Sequence, residues 1–470
     1  MCVAVLSLCT CASFANSENS HADIGTSLPI WSCIPFACML LSIAVIPLVK
    51  PHWWEKNMLK VAVFWSLVFL VPFGIAYGIG MLTYQLLEII ILDYIPFIVL
   101  LFGLFVTAGG IVIKGCIVGT TRSNLVMLLI GTALASWIGT TGASMLMIRP
   151  LIRANSWRKK KAHIVIFFIF MVSNIGGCLT PVGDPPLFLG FLRGVSFFWT
   201  MELLPLMLLN VAVLSVLFVI MDTKYTKEEL AAGRSPVTVQ NACNEPLRIE
   251  GAVNFIYIAM IIGAVIISGM IPEMEMFSKI EGITVYGVNL PFNSIVQIVI
   301  ILLAALLSWK TTRRSTRELN SFTFGPIAEV AKLFIGIFIT MIPALAILRS
   351  NCGQLGLTES WEFFWSTGLL SSFLDNAPTY LVFLTTAASL GFTEGVATTI
   401  GNVLPEILVA VSAGSVFMGA NTYIGNAPNF MVKSIAEESR IKMPSFFGYM
   451  AWSGCILIPL FVIDTLIFFI

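Results

Sequence analysis

Apolar segments long enough to cross a bilayer follow one another along most of this chain. The hydrocarbon core of a membrane is about 30 Å thick, so a spanning α-helix needs roughly 20 mostly apolar residues. Uninterrupted segments of about this length lie at 30–49, 59–80, 91–113, 198–221, 251–271, 293–309, 327–348 and 446–470. The pattern predicts an all-α polytopic membrane protein.

A second class of apolar region is longer and carries a polar tip in its middle. These regions lie at 117–148 and 361–390, and their tips read GTTGAS at 139–144 and DNAPT at 375–379. Two short helices that fold back at such a tip would enter and leave the membrane on the same side. The regions therefore predict re-entrant hairpins.

The remaining apolar regions, 162–192 and 404–432, are broken by polar residues, glycine and proline. The breaks read SNIGG at 173–177 with TPVGDPP at 180–186, and GANTYIGNAPN at 419–429. Lipid cannot hydrogen-bond loose backbone groups, so such breaks persist only where protein or a water-filled cavity satisfies them. Matched breaks in the two halves of a chain are the best sequence indication of a secondary transporter's binding site.

Basic residues in the loops predict the topology, because Lys and Arg accumulate on the cytoplasmic side. They are concentrated at 149–161, 222–250 and 310–317, whereas the 272–292 loop is mainly acidic. If the basic loops lie in the cytoplasm, every loop falls on its expected side only when the first hairpin enters the membrane from the cytoplasm and the second enters from outside. Each half then has three helices, a re-entrant hairpin, a broken helix and a final helix.

An odd number of crossings per half inverts the second half relative to the first. The sequence thus predicts two inverted repeats, 16–221 and 251–470, joined by a cytoplasmic linker at 222–250. Residues 1–15 resemble a signal peptide, because a short apolar run ends in a small-x-small site near Ala15. Cleavage there would place the mature N-terminus outside the cytoplasm.

Composition agrees with a membrane protein and narrows its functional class. Of 470 residues, 58% are hydrophobic and 11% are charged, whereas soluble domains carry about 25% charged residues. A net charge of +1 gives no reason to expect a nucleic-acid partner. The cysteines and histidines form no metal or redox motif, so we interpret the cysteines as small apolar residues. We expect no cofactor, and no nucleophile–base set indicates an enzyme.

Carboxylates within the membrane core indicate the chemistry. Asp184 lies in the first break and Asp375 at the second hairpin tip, and ionisable residues at such positions indicate function by default. A desolvated carboxylate can hold a proton near neutral pH, and a bound Na⁺ favours its charged form and displaces that proton. The two aspartates therefore predict metal-ion ligands that alternate between H⁺ and Na⁺. Helix N-capping is the alternative role for both.

Neutral polar side chains near these aspartates would complete the ion or substrate site. The predicted residues are Thr140, Thr141, Ser144, Asn174, Thr180 and Asp184 in the first half, and Asp375, Asn376, Thr379, Asn421, Thr422, Asn426 and Asn429 in the second. Packing between helices is the alternative role for the small polar residues. Other acids lie near predicted helix ends, where we expect interfacial snorkelling: Glu88, Asp93, Glu406 and Asp464.

These motifs together resemble the ion transporter superfamily. The residues that carry the resemblance are TTGAS and RP within 140–150, SN and TPVGDPP within 173–186, DNAPT at 375–379, and N and GNAPN within 421–429. The resemblance is to NhaD-type sodium/proton antiporters and ArsB-type arsenite permeases, which are grouped with citrate-transporter-like domains.

The resemblance implies an inverted-repeat fold, ion-coupled transport and a homodimer. It also implies which side chains belong together, with one ion site for each half. The first site would hold Thr140, Asn174 and Asp184, and the second would hold Asp375, Asn421 and Asn426.

We therefore predict a secondary active transporter that exchanges Na⁺ or Li⁺ for H⁺ in the inner membrane of a bacterium. Its partners would be monovalent cations and the lipid bilayer. The alternative is an ion-coupled carrier of arsenite or of an organic anion such as citrate or a dicarboxylate. Asp375 stands where the dicarboxylate branch has a Ser-Asn-Thr tip, and its charge opposes a dianion unless a cation or proton neutralises it.

Overall fold

Helices form almost all of the regular structure in the computed structural model. The described residues are 24–235, 246–274, 280, 282–350 and 356–470. The signal peptide predicted for residues 1–15 lies outside them. Within the described part, seven helices are long and apolar enough to cross a membrane. The prediction of an all-α polytopic membrane protein is confirmed.

The first half of the chain ends with a helical hairpin, a broken helix and a long final helix. Its α-helices are α1 (Ile24–Ser27), α2 (Ile34–Val49), α3 (Pro51–Glu88), α4 (Ile95–Ala108), α5 (Thr121–Ile138), α6 (Thr140–Ala154), α7 (Ala162–Met171), α8 (Pro185–Leu192) and α9 (Leu204–Ala231). We call α5 and α6 hairpin 1, and α7 and α8 with residues 172–184 broken helix 1.

The second half repeats this order of elements. Its α-helices are α10 (Asn254–Met270), α11 (Phe292–Thr311), α12 (Arg314–Leu319), α13 (Gly325–Ser350), α14 (Ser360–Phe373), α15 (Asn376–Ala388), α16 (Pro405–Met418), α17 (Ala427–Glu438) and α18 (Phe446–Asp464). We call α14 and α15 hairpin 2, and α16 and α17 with residues 419–426 broken helix 2. The inversion of the second half and its boundaries stay predictions.

Short antiparallel ribbons connect some of the loops. The paired strands are β1 (Val112–Lys114) with β2 (Arg248–Glu250), β3 (Ile283–Val285) with β4 (Val288–Leu290), and β5 (Val396–Thr398) with β6 (Gly401–Val403). The first ribbon joins the approach to hairpin 1 to the end of the central linker. Cys116, just after β1, is disulfide-bonded, so our interpretation of the cysteines as small apolar residues is wrong there.

The helix given as α3 bends sharply at Gly78. This residue has non-helical backbone, at φ 85° and ψ 158°, and an added Cβ at Gly74 would lie 3.0 Å from Leu82, eight positions later. In a straight helix residues eight positions apart are about 12 Å apart. The first helix therefore ends close to the boundary predicted at 80, whereas the next one begins well before position 91 and runs through a π-helix, Ile89–Tyr94, into α4.

The final helix of the first half also extends beyond its predicted end at 221. Asp222 is the first residue of this extension, and its buried carboxylate accepts hydrogen bonds from Arg158, at 2.5 Å and 3.3 Å. His163, on α7, also contacts this carboxylate, with 2.8 Å between Nε2 and Oδ1. This buried charge cluster fixes broken helix 1 against α9.

A constant spacing relates broken helices 1 and 2 and the final helices after them. The final helices begin at Leu204 and at Phe446, 242 positions later. The same spacing relates the breaks, where Gly177, Thr180, Gly183 and Asp184 correspond to Gly419, Thr422, Gly425 and Asn426. The two breaks therefore have the same backbone plan, with an acid in one half replaced by an amide in the other.

The broken helices form the centre of the molecule. In α7 every residue from His163 to Met171 is buried, as expected for a helix that is apolar on all sides. By contrast, α11 exposes Val299, Leu302 and Leu306, which in a membrane protein face lipid. The site elements are thus enclosed, and the lipid-facing helices surround them.

The tip of hairpin 1 gives a stability prediction. Gly139 has φ 79° and ψ 148°, a conformation that strains any residue with a Cβ by about 1–3 kcal/mol. We expect Gly139→Ala to lower the thermal midpoint of the detergent-solubilised protein, measured by size-exclusion chromatography after heating.

Gly263→Ala is the matched control, because an added Cβ on α10 meets nothing within 4 Å and alanine favours helix. This control should unfold at the same temperature as the wild type or higher. If Gly139→Ala and Gly263→Ala had the same thermal midpoint, the hairpin tip would not need glycine at position 139.

Candidate functional site

The tip of hairpin 1 satisfies the loose backbone of broken helix 1. Ser136 Oγ donates to the carbonyl of Gly176 at 2.5 Å and accepts from the Leu179 amide at 3.1 Å. Thr180 Oγ1 donates to the Ser136 carbonyl, and the Thr140 amide donates to the Gly183 carbonyl at 2.8 Å. The break persists because these hydrogen bonds replace those that a continuous helix would make.

Hairpin 2 holds broken helix 2 by the same plan. Ser372 Oγ shares its proton between the carbonyls of Gly368, at 2.7 Å, and Met418, at 3.1 Å, and accepts from Asn421 Nδ2 at 2.9 Å. Thr422 Oγ1 donates to the Ser372 carbonyl at 2.5 Å. Ser372 thus does in the second half what Ser136 does in the first.

In each break two backbone segments pass so close to each other that only glycine fits at the crossing. A Cβ at Gly183 would overlap the Gly177 carbonyl, and one at Gly425 would overlap the Gly419 carbonyl. These crossings place the residue after each close glycine, Asp184 or Asn426, at the start of α8 or α17. Both side chains therefore face the middle of the molecule.

Asp184 lies at the centre of the site and joins the two halves. Its Oδ1 accepts from Thr140 Oγ1 at 2.8 Å and from Asn426 Nδ2 at 3.1 Å, and its Oδ2 accepts from Asn376 Nδ2 at 2.6 Å. The residue is 1% exposed. Within the described structure no Lys, Arg or His forms an ion pair with Asp184, so neutral donors alone hold this carboxylate.

A chain of asparagines continues from Asp184 across the interface of the halves. Asn426 Nδ2 also lies 3.3 Å from Asn174 Oδ1 and 3.2 Å from the Ser173 carbonyl. Asn174 Nδ2 donates to Asn429 Oδ1 at 2.7 Å. Asn429 in turn donates to the carbonyls of residues 419 and 422, at 2.8 Å and 2.9 Å. The two breaks are thus bonded to each other as well as to their hairpins.

Four helices begin at this point. They are α6 at Thr140, α8 at Pro185, α15 at Asn376 and α17 at Ala427. The N-terminus of a helix carries partial positive charge and free N–H groups, so it favours an anion. Their convergence stabilises the buried charge of Asp184 without a cationic side chain.

Asp375 plays a different part from Asp184. It is partly exposed and caps α15, because its Oδ1 accepts from the Ala377 amide at 3.1 Å, while its carbonyl accepts from Thr379 Oγ1 at 3.0 Å. The capping alternative therefore describes its position in this structure. Asn376 and Asn426, which we expected beside Asp375, hydrogen-bond Asp184 instead.

The structure thus groups these side chains differently from the expected one site for each half, and the ion sites themselves stay a prediction. The physical reason is that the two breaks face each other, so Asn426 at the head of α17 reaches Asp184 at the head of α8. Two buried amide oxygens in the second half, Asn376 Oδ1 and Asn421 Oδ1, have no hydrogen-bond partner among the described residues. Oxygens of this kind are suitable ligands for a cation.

Two of the remaining predicted residues lie beside the centre. Ser144 Oγ is 2.8 Å from Ser173 Oγ, which joins α6 to the first break. Thr141 follows Thr140 on α6 and is partly exposed, but it is not among the hydrogen-bond partners of Asp184. The structure thus brings Ser144 to the break and leaves Thr141 at the edge of the site.

Sequence reasoning missed the two serines that organise the breaks, Ser136 and Ser372. Each lies four positions before the first residue of the following hairpin helix, Thr140 or Asn376. This repeated spacing could have identified both serines. Asn429, which we expected to line the second-half site, lies in the asparagine chain that joins the two breaks.

Two acids that we expected at the membrane interface are buried instead. Asp93 is 3% exposed and pairs with Arg193 at 2.6 Å. Asp464 is 0% exposed and bonds to Asn210. The expectation was wrong because it considered only how close each acid lies to the end of its own helix. Here the neighbouring helices cover both side chains.

Comparison with known families agrees with this architecture. A family model described as "Putative citrate transport" matches residues 25–469 of the chain. The chain belongs to this citrate transport family. None of the proteins of curated function that were compared matches it. Membership confirms the resemblance to citrate-transporter-like domains and identifies a multi-pass membrane transporter.

The asparagine chain gives a testable prediction. Asn429→Ala should lower the thermal midpoint, because it removes one acceptor of Asn174 Nδ2 and the donor to two backbone carbonyls, and each buried unpaired group costs about 1–3 kcal/mol. Thermal denaturation monitored by size-exclusion chromatography measures the effect.

Asn57→Ala serves as control, because Asn57 is partly exposed and makes only local hydrogen bonds, to the Trp53 carbonyl at 2.8 Å and from Lys60 at 3.1 Å. We expect this variant to match the wild type. If Asn429→Ala is as stable as the control, the asparagine chain does not hold the breaks together.

Proposed function

We propose that this member of the citrate transport family exchanges Na⁺ or Li⁺ for H⁺ at Asp184. The observation that supports the proposal most directly is the buried carboxylate of Asp184, held by Thr140, Asn376 and Asn426 without a cationic partner. An intramembrane carboxylate in such surroundings must be neutralised by something that binds to it. A proton or a monovalent cation does so in turn, which is exchange.

An asparagine side chain can hydrogen-bond the ionised carboxylate of Asp184 and can also serve the site when a cation or a proton is bound. Its amide donates to an ionised carboxylate and, after turning, offers its oxygen to a cation or to the O–H of the protonated acid. Asn376 Oδ1 is buried without a partner, so that turn would satisfy an atom that is otherwise unpaired. A lysine or arginine at the same position would neutralise Asp184 permanently and prevent exchange.

The hydrogen-bond donors to Asp184 come from both halves of the chain, which suits a transporter that works by alternating access. Asp184 and Thr140 come from the first half, whereas Asn376 and Asn426 come from the second. If the elements around Asp184 move as a unit relative to the surrounding helices, the site faces one side of the membrane at a time. We propose the inner membrane of a bacterium, with the N-terminus outside the cytoplasm.

A second candidate function is ion-coupled transport of an organic anion such as citrate. Two observations favour it: the family match, and the four helix N-termini that begin at Thr140, Pro185, Asn376 and Ala427. An anion would be stabilised there by the helix ends. The charge of Asp184 opposes it, so this function requires a co-bound cation or proton.

Proton flux in proteoliposomes tests the proposal. A pH dye inside vesicles should report proton movement when Na⁺ or Li⁺ is added without any organic anion. Asp184→Asn should abolish this movement, because the amide carries no exchangeable charge. Asp375→Asn tests the predicted ion-ligand role of Asp375 separately, because asparagine keeps the helix cap and removes only the charge. Proton movement that occurs only when citrate accompanies the cation would instead establish the second candidate function.

Glu406→Gln is the control for loss of a carboxylate, since Glu406 is exposed on the first turn of α16. It should exchange at the wild-type rate. If either aspartate variant keeps full Na⁺-driven proton movement, that aspartate has no part in the mechanism.

Site-directed cysteine labelling tests the inverted topology. After replacement of the accessible native cysteines, Tyr286→Cys should react with a membrane-impermeant maleimide added to intact cells. Ser315→Cys should react only after permeabilisation, because its loop is rich in basic residues. Both side chains are exposed, so the reverse pattern would overturn the proposed orientation.

A further inference from the structure

The final helices of the two halves carry acids at matching positions. Asp222 lies 18 positions after the start of α9, and Asp464 lies 18 positions after the start of α18. Both are fully buried. Their surroundings differ, however, in a way that assigns them different charge states.

Asp222 has partners that keep it ionised. Arg158 donates to both of its oxygens, and His163 contacts Oδ1 at 2.8 Å. A buried carboxylate with a bidentate guanidinium beside it remains charged. Asp222 is therefore a structural anion.

Asp464 has a single neutral partner. Asn210 Nδ2, on α9, lies 2.9 Å from one carboxylate oxygen and 2.8 Å from the other, and the same nitrogen donates to the Leu206 carbonyl at 2.9 Å. One N–H is thus shared between both oxygens of Asp464. A fully buried charge with one shared donor is strongly disfavoured.

The amide of Asn210 also lacks a hydrogen bond. Its Oδ1 is buried and has no hydrogen-bond partner among the described residues. A proton on Asp464 would correct both defects, since the O–H can donate to Asn210 Oδ1 while the other carboxyl oxygen accepts from Nδ2. The result is a neutral acid–amide pair with both hydrogen bonds made.

We propose that Asp464 is a proton-binding site, separate from Asp184, at the contact between the two final helices. The proposal concerns protonation alone and does not depend on which ion is exchanged at Asp184. The ligand is a proton, because the pair lacks the further oxygen donors that a metal cation would need.

Other charged groups on the packed elements do not neutralise Asp464. They are Glu202 ahead of α9, then Asp222, Lys224, Lys227, Glu228 and Glu229 at its far end, and Glu359 and Glu362 at the start of α14. None of them bonds to Asp464 in the described part of the chain. Trp365, on α14, reaches only the neighbouring Thr465, at 3.0 Å.

The position of Asp464 connects protonation to the transport site. On the same helix, Tyr449 donates to the Ala420 carbonyl at 2.9 Å and Ser453 to the Asn421 carbonyl at 2.6 Å, so α18 supports the second break. Release of the proton requires water to reach the contact between α9 and α18. By linkage, a conformation that separates these helices favours release, and the packed conformation favours uptake.

Infrared difference spectroscopy of the protein in liposomes tests the proposal directly. Between acidic and alkaline D₂O buffers, the wild type should show the C=O band of a protonated, hydrogen-bonded carboxylic acid that Asp464→Asn lacks. Asp184→Asn should keep this band even if it abolishes transport, so the two proposals can fail separately. An identical carboxylic-acid spectrum in Asp464→Asn would overturn the proposal.

Asn210→Leu gives a second, independent readout should Asp464→Asn fold poorly. Removing the amide should shift the Asp464 band to higher frequency, as expected for a carboxyl group without its hydrogen bonds. An unshifted band would mean that the protonated group is elsewhere.

The dependence of stability on pH gives a further check. Wild-type protein should lose thermal stability as the pH rises, because ionised Asp464 keeps only one shared donor. In Asp464→Asn that part of the slope should disappear, because an amide pairs with Asn210 at every pH. Equal slopes in the two proteins would contradict a proton at Asp464.

Discussion

The structure depends on one constraint: backbone that leaves a helix inside a membrane must find its hydrogen bonds within the protein. Each break meets this constraint by contact with a hairpin tip. Ser136 and Ser372 carry most of these contacts, since each bonds to its break through both its hydroxyl and its carbonyl. The hairpins and breaks are consequently inseparable, and any residue that sits on a break is fixed relative to a tip.

That arrangement places Asp184 where the two halves meet. In a fold with related halves, the equivalent of Asp184 is Asn426, and the two side chains contact each other at 3.1 Å. Two aspartates at this distance would repel each other, whereas an aspartate and an amide form a hydrogen bond. The replacement of one acid by an amide makes the centre stable and leaves a single carboxylate there.

The same asymmetry recurs at the final helices. Asp222 is neutralised by Arg158, while Asp464 meets only the amide of Asn210. In both places the described structure keeps one carboxylate without a cationic partner. Small local differences between two similar halves thus give equivalent positions different electrostatic surroundings.

Much of the architecture was predictable because hydropathy and helix breaking are local properties. The helical hairpins, both breaks and the candidate Asp184 follow from residues that are close together in the sequence. The helical stretch just before Ile89–Tyr94 was not predicted, because polar residues such as Thr83, Gln85 and Glu88 interrupt the apolar run, and hydropathy does not detect a polar part of a helix. The burial of Asp93 and Asp464 was also missed, because it depends on helices distant in the sequence.

The sequence by itself determined the membrane class, the position of each break and the identity of the central acid, since each depends on a short stretch of chain. Only the tertiary structure decided which side chains surround that acid. Asn376 and Asn426 reach Asp184 across 192 and 242 positions of sequence. Such contacts depend on how the two halves pack face to face, and no local pattern records that packing.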